Sequence, residues 1–98
     1  MDSRYEKNGI SFVWNARKAS ANPKKHDSVT IEQATEAFFD PLFKLVDAVR
    51  NEEARDAVIG YDESRRLLFV VHIELENDII RLISAPKATV AERNNYDF

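Results

Sequence analysis

The chain has 98 residues, with 17 acidic side chains against 14 Lys and Arg, a net charge of −3, 44% hydrophobic residues and no cysteine. A chain of this size forms one domain around one modest core. The composition excludes a disulfide framework and a thiolate metal site, and no apolar run approaches the ~20 residues of a membrane-spanning helix.

Residues 1–9 are polar and end in Gly9; they read as a loose tail before a single domain over 10–98. Ile10–Trp14 alternates weakly and predicts a short strand. Asn15 can cap a helix running from Ala16 to about His26, kinked or divided at Asn22 by Pro23. Thr30-Ile31-Glu32-Gln33 has the form of a capping box, and Ile31, Ala34, Ala37 and Phe38 follow at helical spacing. Pro41 disfavours helix at Asp40, which ends this second helix near Phe39. Phe43–Val46, Arg55–Tyr61, Leu67–Ile73 and Ile79–Ala85 read as strands. Leu67–Ile73 is nearly continuous in apolar residues and is expected to be central. Polar connections of hairpin length make the last three strands an antiparallel meander. A second capping box, Thr89–Glu92, opens a C-terminal helix through about Tyr96. The expected class is α+β: an antiparallel sheet of about four to five strands with two N-terminal helices and a short C-terminal helix, in the order β-α-α-β-β-β-β-α.

The charge is unevenly spread. Residues 15–26 hold Arg17, Lys18, Lys24, Lys25 and His26 with no acid, whereas acids gather at 32–40, 47–56 and 74–78. Phosphate affinity comes largely from Lys and Arg, so a basic patch on an acidic body remains compatible with nucleic acid. Lys18, Asn22, Lys25 and His26 recur at i, i+4, i+7 and i+8 and share a helix face. Asn22 and the lysines can hold phosphate oxygens, and His26 can move protons near neutral pH; the same stripe also suits a plain solvated surface. Arg55 begins one strand and Arg81 interrupts another. An isolated buried cation is costly. Arg81 must therefore reach water, pair with an acid such as Glu53 or Glu74, or face an open site where its planar fork meets a phosphate. His72 lies in the most apolar strand and reads as a hydrogen-bonded core residue. Phe12 and Trp14 read as core aromatics or as a stacking platform for bases. The two histidines have no ligand spacing, and no metal or other cofactor is implied.

Phe12-x-Trp14, Lys18, Asn22, Lys25-His26, Asp40-Pro41, Glu53-x-Arg55, Ile59-Gly60, Arg66-Leu67-Leu68, Arg81-Leu82-Ile83-Ser84-Ala85, Lys87-Ala88, Glu92 and Tyr96 together resemble the BrnT toxin family in order and spacing. The resemblance implies helices packed on a RelE-like antiparallel sheet and an endoribonuclease that cuts RNA without a metal or a ribosome; the charged N-terminal stretch, with no apolar signal-peptide run, makes the cytoplasm the expected location. It also implies a cognate, BrnA-like antitoxin that forms a hetero-oligomer with the toxin and carries the binding to operator DNA. Carried over to this chain, the family's candidates fall on Lys25, His26, Arg55 and Arg81. We assign catalysis to His26, Arg55 and Arg81, and RNA binding to Lys18, Asn22, Lys25 and Lys87. Three positions depart from the pattern. Pro86 stands where the family carries arginine, Asp27-Ser28 replaces a single glycine, and Asn15 replaces a common aspartate. An attenuated toxin, or an inactive homologue that binds antitoxin and helps repress the operon, fits the first departure.

Overall fold

A computed structural model describes residues 1–25, 29–48 and 54–97, apart from the side chains of Lys18, Ala21, Pro23, Lys24 and Lys25. Six strands form one sheet: β1 (Asp2–Lys7), β2 (Ile10–Asn15), β3 (Lys44–Asp47), β4 (Asp56–Tyr61), β5 (Leu67–Leu75) and β6 (Ile79–Ser84). Their spatial order is β1-β2-β6-β5-β4-β3. Every neighbouring pair is antiparallel except β2 and β6, which run parallel. The helices are α1 (Ala16–Lys25), α2 (Ile31–Thr35), which runs into a 3-10 turn over Glu36–Phe39, and α3 (Val90–Asp97). Among the described residues no helix is long and apolar enough to cross a membrane.

This architecture corrects the expected class. The sheet has six strands and is mixed, and the two N-terminal helices reduce to one of ten residues and one of five. Residues 2–7, read as a loose tail, form an edge strand instead. The hairpin turn is Asn8-Gly9, two residues with φ of 49° and 83°. Positive φ at both positions is what a type I′ turn requires, and its twist matches the flanking strands. β6 then lies on the other side of β2, where side-by-side parallel pairing links residues far apart in sequence. Of the expected kinked or divided first helix, the division at Asn22 is absent: α1 runs from Ala16 to Lys25 as one element. Pro23 falls in the last turn of the helix, so its missing N–H removes a bond near the end.

Local signals elsewhere act as read. Thr30 Oγ1 accepts from Gln33 N at 3.1 Å and Thr30 N donates to Gln33 Oε1 at 2.9 Å, a complete capping box. Thr89 and Glu92 form the same reciprocal pair at 3.2 and 2.8 Å. Asp40 is extended, with ψ 119°, ahead of Pro41.

One face of the sheet carries the core. Phe12, Trp14, Val58, Leu68, Val70 and Leu82 pack there with Val29, Ile31, Ala34 and Ala37. Phe12 meets Phe38 edge-on at 5.3 Å, and Phe38 meets His72 at 4.9 Å. His72 is buried, with Nδ1 3.1 Å from the Val70 carbonyl oxygen, so it serves the core. Trp14 is buried as well and offers no platform to a base. Gly60 lets β4 approach the 3-10 turn: a Cβ there would stand 2.5 Å from the Ala37 carbonyl oxygen.

Candidate functional site

Side chains alternate between the two faces of a strand, and directly paired residues share a face. The face opposite the core is therefore legible from the register. Arg4 pairs with Val13, Val13 with Arg81, and Arg81 with Ile73. Asp56 pairs with His72, and Ala48 N donates to Arg55 O at 2.8 Å, so the β3–β4 ladder continues one residue beyond Asp56. Arg55 thus lies level with Ile73, and both line a cavity of about 300 Å³ with Asp47, Ala54, Asp56 and Glu74. Arg55, Ile73, Arg81, Val13 and Arg4 form one row across the sheet. Adjacent strands lie ~4.8 Å apart, which sets the Cα atoms of Arg55 and Arg81 roughly 10 Å apart.

Arg81 does not pair with Glu74, and Glu53 lies outside the described residues. Its partner is Asp2. Nη1 donates to Oδ2 at 2.9 Å and Nη2 to Oδ1 at 3.1 Å, a two-pronged contact. The hydrogen bonds from Arg81 hold the Asp2 carboxyl below the usual carboxylate range, and those to Asp2 push the guanidinium still higher. The Arg81 side chain is 32% exposed and that of Asp2 52%.

Position 86 belongs to the same face. Phe69 N donates to Pro86 O at 2.9 Å and Ala88 N to Leu67 O at 2.9 Å, with Leu68 opposite Lys87 between them. A slip in the β5–β6 register between Val71 and His72 brings residue 86 level with Phe69, whose side chain alternates with Val71 and Ile73 away from the core. An arginine at 86 would stand on the Arg81 face and donate its N–H back toward Phe69 O. Proline removes both the cation and the donor.

Asn22 is used differently from its sequence reading. It is buried, and its amide is spent on backbone. Nδ2 donates to Val29 O at 2.7 Å and to Ala85 O at 3.4 Å, while Oδ1 accepts from Ala85 N at 3.2 Å. These bonds tie α1 to the end of β6. Lys18 and Lys25 lie on α1, and Lys87 is exposed beside Leu68. His26 and the Asp27-Ser28 departure lie outside the described residues.

Residues 14–92 match the family described as ribonuclease toxin, BrnT, of type II toxin-antitoxin system. The chain belongs to the BrnT toxin family. It is thus a ribonuclease toxin by family, and the type II system implies an antitoxin partner. No curated protein matches the chain.

Several BrnT-like residues prove to be architectural. Asp40 Oδ2 accepts from Tyr61 N at 2.9 Å and from Tyr96 Oη at 2.7 Å, and Oδ1 accepts from Leu42 N at 2.9 Å. Burial raises the Asp40 carboxyl, but these three donors outweigh it and hold the group below its ordinary value. Burial and the neighbouring Asp40 carboxylate push the Tyr96 phenol up to about 12. The pair pins α3 to the end of β4. Arg66 likewise binds Asp62, through Nε at 2.9 Å. What the sequence reading missed is β1, with Asp2 on Arg81 and Arg4 in the same row. The signal was available: Asn-Gly after an alternating stretch is a strong short-range hairpin mark.

Proposed function

We propose that this BrnT toxin is an endoribonuclease that works without a metal or a ribosome, in the cytoplasm, and that a cognate antitoxin neutralises it. The observation that carries the reading is the row joining Arg55 and Arg81 on one sheet face. Two long guanidinium side chains based roughly 10 Å apart can meet on one phosphodiester.

In the proposed reaction the RNA 2′-oxygen attacks the adjacent phosphorus and the bond to the 5′-oxygen breaks. A base takes the 2′-hydroxyl proton, and an acid returns one to the leaving oxygen. His26 carries proton transfer, and Arg55 and Arg81 stabilise the charge that builds on the phosphoryl oxygens. Lys18 and Lys25 steer RNA; Asn22, committed to backbone, and Lys87, level with Leu68 on the core side of the sheet, drop out of that group. The antitoxin masks the same face and is the route by which the complex reaches operator DNA.

Purified, antitoxin-free protein is the test. Single-stranded RNA in EDTA is expected to be cut by the wild type, and His26→Ala, Arg55→Ala and Arg81→Ala are each expected to lose cleavage while keeping their fold. Undiminished turnover in the two arginine variants sinks the assignment. Pro86 favours a second reading, a non-catalytic homologue that binds antitoxin, because it removes a cation from the proposed face. No cleavage by any form, with antitoxin binding intact, selects that reading.

A further inference from the structure

We propose that Asp2 is an internal competitor for the RNA phosphate at Arg81, so that β1 sets how tightly this toxin holds its substrate. The inference deepens the ribonuclease reading and rests on it.

Arg81 gives Nη1 and Nη2 to the two oxygens of the Asp2 carboxylate at 2.9 and 3.1 Å. A phosphodiester presents the same ligand, two oxygens sharing one negative charge, to the same planar fork. RNA and Asp2 therefore exclude one another at these donors. Asp2 is the first residue of an edge strand, and its side chain is half in water. It can leave the fork for solvent at small cost, because exposed pairs of this kind are weak. Once displaced, it remains beside the phosphate and repels it.

β1 lies wholly outside residues 14–92, so the competitor sits on a strand beyond the matched family region. The strand is firmly seated. It pairs with β2 over six residues, and Met1 O accepts from Ala16 N at 3.0 Å. The other carboxylate on this face of β1, Glu6, accepts from Ser11 Oγ at 3.3 Å and sits at the far end of the strand from Asp2. Asp2 is thus the acid in contact with Arg81, and removing it leaves the arginine in place on β6.

The experiment is a Kd measurement by fluorescence anisotropy. The probe is a labelled single-stranded RNA with every 2′-hydroxyl methylated, which binds without being cut. The full chain is compared as wild type, Asp2→Asn, Asp2→Ser, Arg81→Ala and Asp2→Asn/Arg81→Ala. Both Asp2 variants are expected to bind roughly two- to five-fold more tightly, the scale of one exposed ion pair. The gain is expected to vanish when Arg81 is absent. If Asp2→Asn and Asp2→Ser bind no better than wild type while Arg81→Ala binds worse, the competitor is refuted and the RNA face survives. A gain that persists without Arg81 also refutes it, as a general charge effect. If Arg81→Ala binds as well as wild type, the ribonuclease reading of this face fails with it.

Discussion

Asn22→Ala separates structure from chemistry at one position. The amide makes three hydrogen bonds to backbone at 2.7, 3.2 and 3.4 Å and is 4% exposed. Alanine leaves Val29 O, Ala85 O and Ala85 N without these partners in a site largely closed to water. A buried group left unsatisfied costs about 1–3 kcal/mol. The 3.4 Å contact is weak and is discounted, and partial relaxation lowers the rest, so the expected loss is about 2–4 kcal/mol. In a chain of this length that corresponds to a melting temperature lower by roughly 10–20 °C. Urea unfolding followed by the fluorescence of Trp14, the single tryptophan and a buried one, reads the change directly. A loss under about 0.5 kcal/mol, together with weakened RNA binding, would refute the reasoning and return Asn22 to the RNA surface.

Gly60→Ala places a Cβ 2.5 Å from the Ala37 carbonyl oxygen, a backbone atom that yields only by moving β4 off the 3-10 turn. The expected cost is about 1–3 kcal/mol, read by thermal melting. Asp40→Asn probes the carboxyl that holds α3. Its carboxyl is held below its ordinary value in the fold, so its contribution is present above the ordinary carboxylate pKa and is lost as the pH falls through the lower, folded value. The gap in melting temperature between wild type and Asp40→Asn is expected to be widest near neutrality and to close under acid; a gap that does not change with pH counts against the assignment. Pro86→Arg restores a cation and a ladder donor on the Arg81 face. RNA turnover is expected to rise, by up to ~10²–10³-fold if the arginine stabilises the transition state. Unchanged cleavage would clear Pro86 of any attenuating role.

Local chemistry was legible residue by residue. The run Leu67–Ile73 pairs as a strand, which extends two residues further to Leu75, because branched and aromatic side chains suit a covered sheet. Thr30 and Thr89 cap helices because the partner side chain stands three residues on. His72 went to the core because its strand is apolar on both sides. The tail reading of β1 failed on composition. Its apolar content is low, yet an edge strand needs only one half-buried face, as its alternating exposure shows.

Contacts between distant segments were decided by the fold alone. Asp2 and Arg81 are 79 residues apart, and Asn22 and Ala85 are 63 apart. No spacing rule reaches that far. The parallel pairing of β2 with β6 and the Asn8-Gly9 hairpin bring Asp2 across β2 to Arg81, just as the β4–β5–β6 ladders set Arg55 level with it. Propensity, capping and turn preference act over a few residues and are written in the chain. Which cation meets which acid depends on register, and register is settled when the core buries one face of every strand at once.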